Sequence, residues 1–532
     1  MMWLVLISAF VLLIYYKLIK ALSYWKERGI AYVKPLPLIR SFYRFILHKV
    51  SFFDYVQDIY TQFNHERFFG AYQFNKPVLY IRDIDLIRKI TIKDFDHFTD
   101  HSSFLEENVE PLMDKNLFNL KGQRWRNMRA TLSPSFSSSK MKMMFILLSD
   151  CAQEFTKYFK KQSGDVLAVE MKDAFTKFTN DAIASVAFGL KCDSLEDATN
   201  EFYLMGKKAT TLGTLRSTLI TIIGIFPKLG QMLNIGFFPA SVRNFFYRIV
   251  EETIKHREAE GLVRPDMIHL LMEARKGRYI EEDNITVDAG FASTEETKEH
   301  CVDTKRKLEL TNEDITAQAL IFFFGGFETS ATLMSFLAYE IAVNSDVQVK
   351  LQKEIDETLS ACNGNLTYEG LHKMKYMDMV VSECLRKWPP GFQLDRLCVH
   401  NYTIEPPVDT NMKPFVIEKG TGVIIPVIGI HRDPKYFPNP EKFDPERFND
   451  ENKHNIVPCS YLPFGSGPRN CIASRFALME NKTIIFHVLS KFDIVPIEKT
   501  PIPLIVGKGS FNLGPQKGFW LGLKPRRDVK LI

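Results

Sequence analysis

No Cys-x-x-Cys pair and no dense cysteine framework occurs among the eight cysteines of this 532-residue chain. That excludes a zinc ribbon or a disulfide-stapled scaffold, and scattered thiols fit a reducing compartment. A strong charge of one sign is also missing. The net charge of +5 is small for this length, so nothing points to nucleic acid, although local basic patches remain available to an anionic lipid surface or an acidic protein. There is no strong internal repeat. No dinucleotide or flavin fingerprint is complete either, since Gly465-Ser466-Gly467 lacks the third glycine and the strand–turn–helix setting. A chain with 45% hydrophobic and 25% charged residues is not disordered and holds enough apolar mass for a large core. Its one long polar break, residues 290–310, ends in Thr311-Asn312-Glu313-Asp314, a capping-box-like helix start.

What is present begins with an apolar N-terminus. Met1 to Tyr16 gives about 24 Å of helix. Leu18, Ile19, Ala21 and Leu22 lengthen it while Lys17 and Lys20 snorkel. A cleaved signal peptide ending at Ala21-Leu22-Ser23 is the alternative. However, no cation precedes the run, and Lys17, Lys20, Lys26 and Arg28 all follow it. The pattern predicts an uncleaved anchor over 1–22 with the body in the cytosol. Residues 23–40 read as a juxtamembrane hinge stiffened by Lys34-Pro35-Leu36-Pro37, and 41–532 as the catalytic body. A second apolar stretch, 213–240, is broken by Gly224, Pro227 and Gly230 and is too short to span a bilayer. Residues 70–83 predict a small antiparallel strand pair, and most of the chain from there to 390 is helical. The fold class expected is mainly α with small β-sheets.

Three stretches carry the chemistry. Pro463-Phe464-Gly465-Ser466-Gly467-Pro468-Arg469-Asn470-Cys471 is too rich in glycine and proline for a helix or strand, and helical spacing resumes directly after it. Cys471 therefore stands at a helix N-terminus, where N–H groups and the dipole favour a thiolate, a ligand for a soft metal. Phe464 can cover the sulfur, and Arg469 offers a cation. From Asp314 to about Val343 a helix is apolar on nearly every face, except for Gly325-Gly326 and the acid and alcohol Glu328-Thr329. The glycines make room. Thr329 can hold a polar ligand, or bond back to a carbonyl one turn earlier, and Glu328 can relay protons. Ile321, Phe324, Gly325, Glu328 and Thr329 share one face. Finally, Glu383-Cys384-Leu385-Arg386 pairs an acid and a base near a helix end, with burial plausible from its apolar neighbours.

Phe464-x-x-Gly-x-Arg-x-Cys471 resembles the haem-binding signature of the cytochrome P450 superfamily, with Ala473 where the signature ends in glycine. Gly325-Gly326-Phe327-Glu328-Thr329-Ser330, Glu383-x-x-Arg386 and Pro445-Glu446-Arg447-Phe448 match the family's other motifs in order. Tyr24-Trp25-Lys26-Glu27-Arg28-Gly29, Thr91–Phe98 and Leu132–Phe136 look like a microsomal insect member of family nine. The resemblance implies haem b with Cys471 as axial ligand, and Trp125, Arg129, Arg396 and Arg469 around the haem propionates. It implies Glu328 and Thr329 in oxygen activation, Ile321, Phe324 and Gly325 in the substrate pocket, and Glu383, Arg386 and Arg447 as a structural brace. The implied activity is insertion of one oxygen atom from O2 into a lipophilic substrate, such as a plant toxin or insecticide. Electrons come from NADPH through a separate reductase, with cytochrome b5 as a further partner, at the endoplasmic reticulum membrane. A haem-thiolate isomerase, a lipophile carrier and a tethered structural protein stay open as alternatives; the first has little use for Glu328 and Thr329, the second has only Ala473 to argue for it, and the third leaves the glycine–acid–alcohol segment unexplained.

Overall fold

The computed structural model describes residues 22–35, 49–73, 76–102, 110–162, 164–210, 219, 232, 236–264, 266–276, 290–292, 310–406, 413–508 and 513–526. Most of the expected anchor, of the apolar stretch 213–240 and of the polar break 290–310 lies outside these residues. The juxtamembrane link is described in part. Trp25 is buried and donates its indole N–H to the Ala71 carbonyl at 2.9 Å.

Helices dominate. Those that build the site are α1 (Phe52–Gln62), α2 (Gly122–Leu132), α3 (Ser138–Lys161), α4 (Met171–Ile183), α5 (Ala240–Glu260), α6 (Asn312–Val343), α7 (Lys375–Lys387) and α8 (Ser474–Lys491). The central one is α6. Its start is set by a capping box, in which Asp314 N–H donates to Thr311 Oγ1 at 3.1 Å and Thr311 N–H to Asp314 Oδ2 at 2.9 Å. With apolar residues on nearly every face it must be enclosed to be stable. It packs against α4, α5 and α8. Among the described residues it is the helix long and apolar enough to cross a membrane, but protein buries most of it, so it is the core.

Strands fill the remaining edges in three small sheets, ordered β1-β2-β7-β4, then β3 (Leu167–Glu170), β9 (Trp520–Pro525) and β8 (Phe492–Val495), and last β5 (Tyr402–Ile404) with β6 (Phe415–Ile417). In the first, β1 (Phe68–Gln73) and β2 (Lys76–Ile81) form the antiparallel pair expected near 70–83. There β7 (Gly422–Ile425) joins β2 in parallel, and β4 (Leu394–Leu397) closes the sheet with Arg396 opposite Val423. That register delivers Arg396 beside the cysteine loop. The expected class, mainly helical with small sheets, is the class found.

Candidate active site

The cysteine loop is closed by the Cys471 N–H, which donates to the Phe464 carbonyl at 2.8 Å. Gly467 turns through φ +73°, and a Cβ there would strike the Thr91 carbonyl oxygen, so no side chain fits. Cys471 is reachable by solvent. Surrounding protein nevertheless raises its thiol pKa through burial, outweighing the Ala473 N–H and Arg129, which lower it. A side chain on the wall of an interior cleft has both properties. Helix α8 begins at Ser474, and the N–H of its cap residue Ala473 reaches the sulfur and favours the thiolate. Ala473 sits at φ −99°, ordinary for any residue, so the methyl where the signature has glycine strains nothing.

Trp125, Arg129, Arg396 and Arg469 do converge on this loop. Arg129 donates to Asn470 O at 2.8 Å and Asn470 Oδ1 at 2.7 Å. Arg469 lies over the Trp125 ring, 4.1 Å from its centroid, and donates to the carbonyls of Thr99 (2.7 Å) and Leu120 (2.5 Å). Its main visible work is thus to pin the loop to the segment before α2. Arg396 is 1% exposed. It donates to Ser466 O at 3.2 Å, and its Nε has no hydrogen-bond partner among the described residues. The nearby carboxylates are engaged already: Asp395 by His101 at 3.0 Å and the Ser102 N–H at 2.5 Å, and Asp100 by the Gly122 N–H at 2.8 Å. Burial, then Arg396, lowers the Arg469 pKa to about 9, and burial lowers that of Arg396 to about 10. Crowded buried guanidiniums with a donor to spare fit a further anion with carboxylate groups. Haem propionates are such groups.

On α6 the adjacent glycines have different tasks. Among the described residues nothing lies within 4 Å of a Cβ built on Gly325, whereas one on Gly326 would be 2.8 Å from Ile183 Cδ1. Gly325 opens space and Gly326 lets α4 approach. Thr329, one turn on from Gly325, is exposed in the midst of a buried helix and donates to the Gly325 carbonyl, as expected of an alcohol there. Glu328 turns away into an ion pair with Lys172 on α4, Nζ to Oε1 3.0 Å, and Lys172 also donates to Thr332 Oγ1 at 2.7 Å. Burial lowers the Lys172 pKa against the pull of Glu328. Lys172 carried no signal in the sequence, because a lysine in a mixed helical segment reads as solvated. Ile321 is half-buried, and Phe324 packs edge-on to Phe237 and Phe238 at 6.2 and 6.0 Å between centroids.

Glu383 and Arg386 of the brace are fully buried, and Arg447 is partly buried. Arg386 forks onto Glu383 (Nε to Oε2 2.7 Å, Nη2 to Oε1 2.9 Å) and donates to the carbonyls of His431 (2.9 Å) and Pro440 (2.7 Å). Burial raises the Glu383 pKa, while Arg386 opposes the shift. Arg447 stands 3.5 Å from Glu383 Oε1, an ion-pair contact; that oxygen accepts from the Asp444 N–H at 2.8 Å as well as from Arg386 Nη2.

Residues 34–521 match the family model for cytochrome P450. The chain is 44% identical over 95% of its length to cytochrome P450 9e2 of Blattella germanica, covering 94% of that protein. It is 42% identical over 95% of its length to probable cytochrome P450 9f2 of Drosophila melanogaster (95% covered), and 37% identical over 93% to cytochrome P450 6k1 of Blattella germanica (92% covered). The chain belongs to the cytochrome P450 family.

Proposed function

We propose that this chain is an insect-type microsomal monooxygenase acting on lipophilic foreign compounds, with Cys471 as the haem ligand. The family's cofactor is haem ligated by a cysteine thiolate, and its members are monooxygenase oxidoreductases fed with electrons from a reductase. When bound, that group supplies oxygen activation, with one atom passed to substrate and the other released as water. The observation that carries the reading is the meeting of Trp125, Arg129, Arg396 and Arg469 at the loop that presents Cys471.

Each residue then has a task. Arg396, through its spare Nε, and the cations beside it would hold the propionates, and Phe464 would shield the sulfur. Gly325 keeps space open on the distal side, and Ile321 and Phe324 line the apolar pocket. Thr329 presents its hydroxyl to that space, where it holds a polar ligand. Glu328, tied to Lys172, carries protons from the protein to the Thr329 side. Glu383, Arg386 and Arg447 keep the loop's support rigid. The N-terminal anchor over 1–22 holds the body on the cytosolic face of the endoplasmic reticulum, where NADPH–cytochrome P450 reductase and cytochrome b5 reach it. Arg124, Arg126, Lys140 and Lys142 offer a basic docking face, part of it neutralised by Arg126–Asp96 at 2.6 Å and Lys142–Glu369 at 2.5 Å.

The test is turnover of a panel of plant toxins and insecticides by haem-loaded full-length protein with reductase and NADPH under isotopically labelled oxygen gas. One labelled atom per product molecule is expected. Product formed without reductase, or unlabelled product, would contradict the proposal.

A further inference from the structure

His431 ends the short helix Val427–His431 and is fully buried, between the brace and the cysteine loop. Its Nδ1 is 3.2 Å from the Arg386 carbonyl oxygen, and its Nε2 accepts from the Leu462 backbone N–H at 2.8 Å. Only one state of the ring serves both contacts, the neutral imidazole with the proton on Nδ1. An imidazolium would set N–H against N–H. Burial, then the Arg386 cation, lowers the ring's pKa to about 3, which keeps it neutral. Arg386 Nη1 in turn donates to the His431 carbonyl at 2.9 Å, so the histidine and the brace are tied twice.

Leu462 leads into the cysteine loop. Its carbonyl accepts from the Gly465 N–H at 3.2 Å, and the next carbonyl-to-amide tie is Phe464 to Cys471 itself, at 2.8 Å. Beside it, Tyr461 stacks on His431 with centroids 5.4 Å apart and donates its hydroxyl to Ser382 O at 2.9 Å, on the residue preceding Glu383. Two adjacent residues at the head of the loop are therefore fastened to α7, one through a hydroxyl and one through the imidazole.

We propose that His431 is a positioning residue for Cys471: it transfers the fixed geometry of the Glu383–Arg386 brace to the Leu462 N–H and thereby sets the loop that aims the sulfur. The proposal rests on the reading of Cys471 as the haem ligand. A phenylalanine at 431 fills the volume and keeps the stack on Tyr461, but leaves the buried Leu462 N–H and Arg386 carbonyl unpaired. A glutamine has both an acceptor and a donor and replaces the contacts in part.

Amide exchange and the reduced carbon monoxide spectrum of haem-loaded full-length protein test it. In His431→Phe, exchange over 462–471 is expected to quicken on the order of tenfold or more, with α6 unchanged. The thiolate-type Soret band is expected to decay correspondingly faster on mild warming. His431→Gln restores most of both. If His431→Phe does not fold, Tyr461→Phe, which loses only the bond to Ser382, is expected to give the same pattern in smaller measure. Folded variants with wild-type exchange and band lifetime would overturn the proposal, as would exchange raised equally in the loop and α6. A wild-type chain without the thiolate-type band would fail the reading of Cys471 itself, and loop exchange would still decide whether His431 orders the loop.

Discussion

At position 467 a left-handed backbone and the Thr91 carbonyl together exclude any side chain, while at 473, where the family signature has glycine, the backbone is ordinary. These two sites separate the signature's steric requirements from its habits. Gly467→Ala is expected to cost more than about 2 kcal/mol, from left-handed strain plus displacement of the 91 backbone. It should appear as a lower Tm and poor haem retention. Ala473→Gly is expected to change stability by less than about 1 kcal/mol and leave haem content as it was. The buried Glu480 gives a third residue-scale result. Among the described residues neither of its carboxyl oxygens has a hydrogen-bond partner of normal geometry, Ser330 being the polar group in electrostatic reach, and burial raises its pKa from 4.5 to about 8. A folded pKa above the unfolded one contributes stability that is full below about 4.5 and lost as pH rises through about 8. Glu480→Gln does not titrate, so its Tm relative to wild type is expected to rise between pH 5 and pH 8, by a few degrees.

At the scale of elements, α6 is where sequence and structure compare most instructively. Its capping box, buried length and glycine–acid–alcohol interruption were all legible, because apolarity on every face and a capped start are local signals. The division of labour between Gly325 and Gly326 was not, since it depends on which side Ile183 of α4 arrives from. Gly325→Ala is expected to stabilise the helix by about 1 kcal/mol in thermal melts while narrowing the distal space. Gly326→Leu is expected to destabilise by about 1–3 kcal/mol as it drives into Ile183. The brace was legible as a motif, but its full partner set was not. His431 comes from the end of a one-turn helix, and Pro440 and the Asp444 N–H from irregular chain, none of them marked by any periodicity. Arg386 uses Nε, Nη1 and Nη2 at once, so Arg386→Lys is expected to fail almost as badly as Arg386→Met. The loss is about 3–5 kcal/mol, read as absence of folded haem-loaded protein.

Across the whole molecule, the design is a sulfur on one wall and an opened helix on another, both tied into one core. The α8 helix that follows Cys471 packs on α6, which carries Gly325 and Thr329. The family and the class of chemistry were legible because motifs in order along a chain constrain far more than any one of them. The burial that raises the Cys471 thiol pKa was not, because burial is a property of the assembled protein. Arg129 and Arg469 likewise turned out to spend donors on the loop and its neighbours, a role that only the fold reveals. The most direct measurement is the reduced carbon monoxide spectrum of the haem-loaded chain and of Cys471→Ala. The Soret band characteristic of thiolate ligation is expected in the first and absent from the second. A histidine-type band in the wild type, or a thiolate-type band surviving in Cys471→Ala, would contradict the assignment.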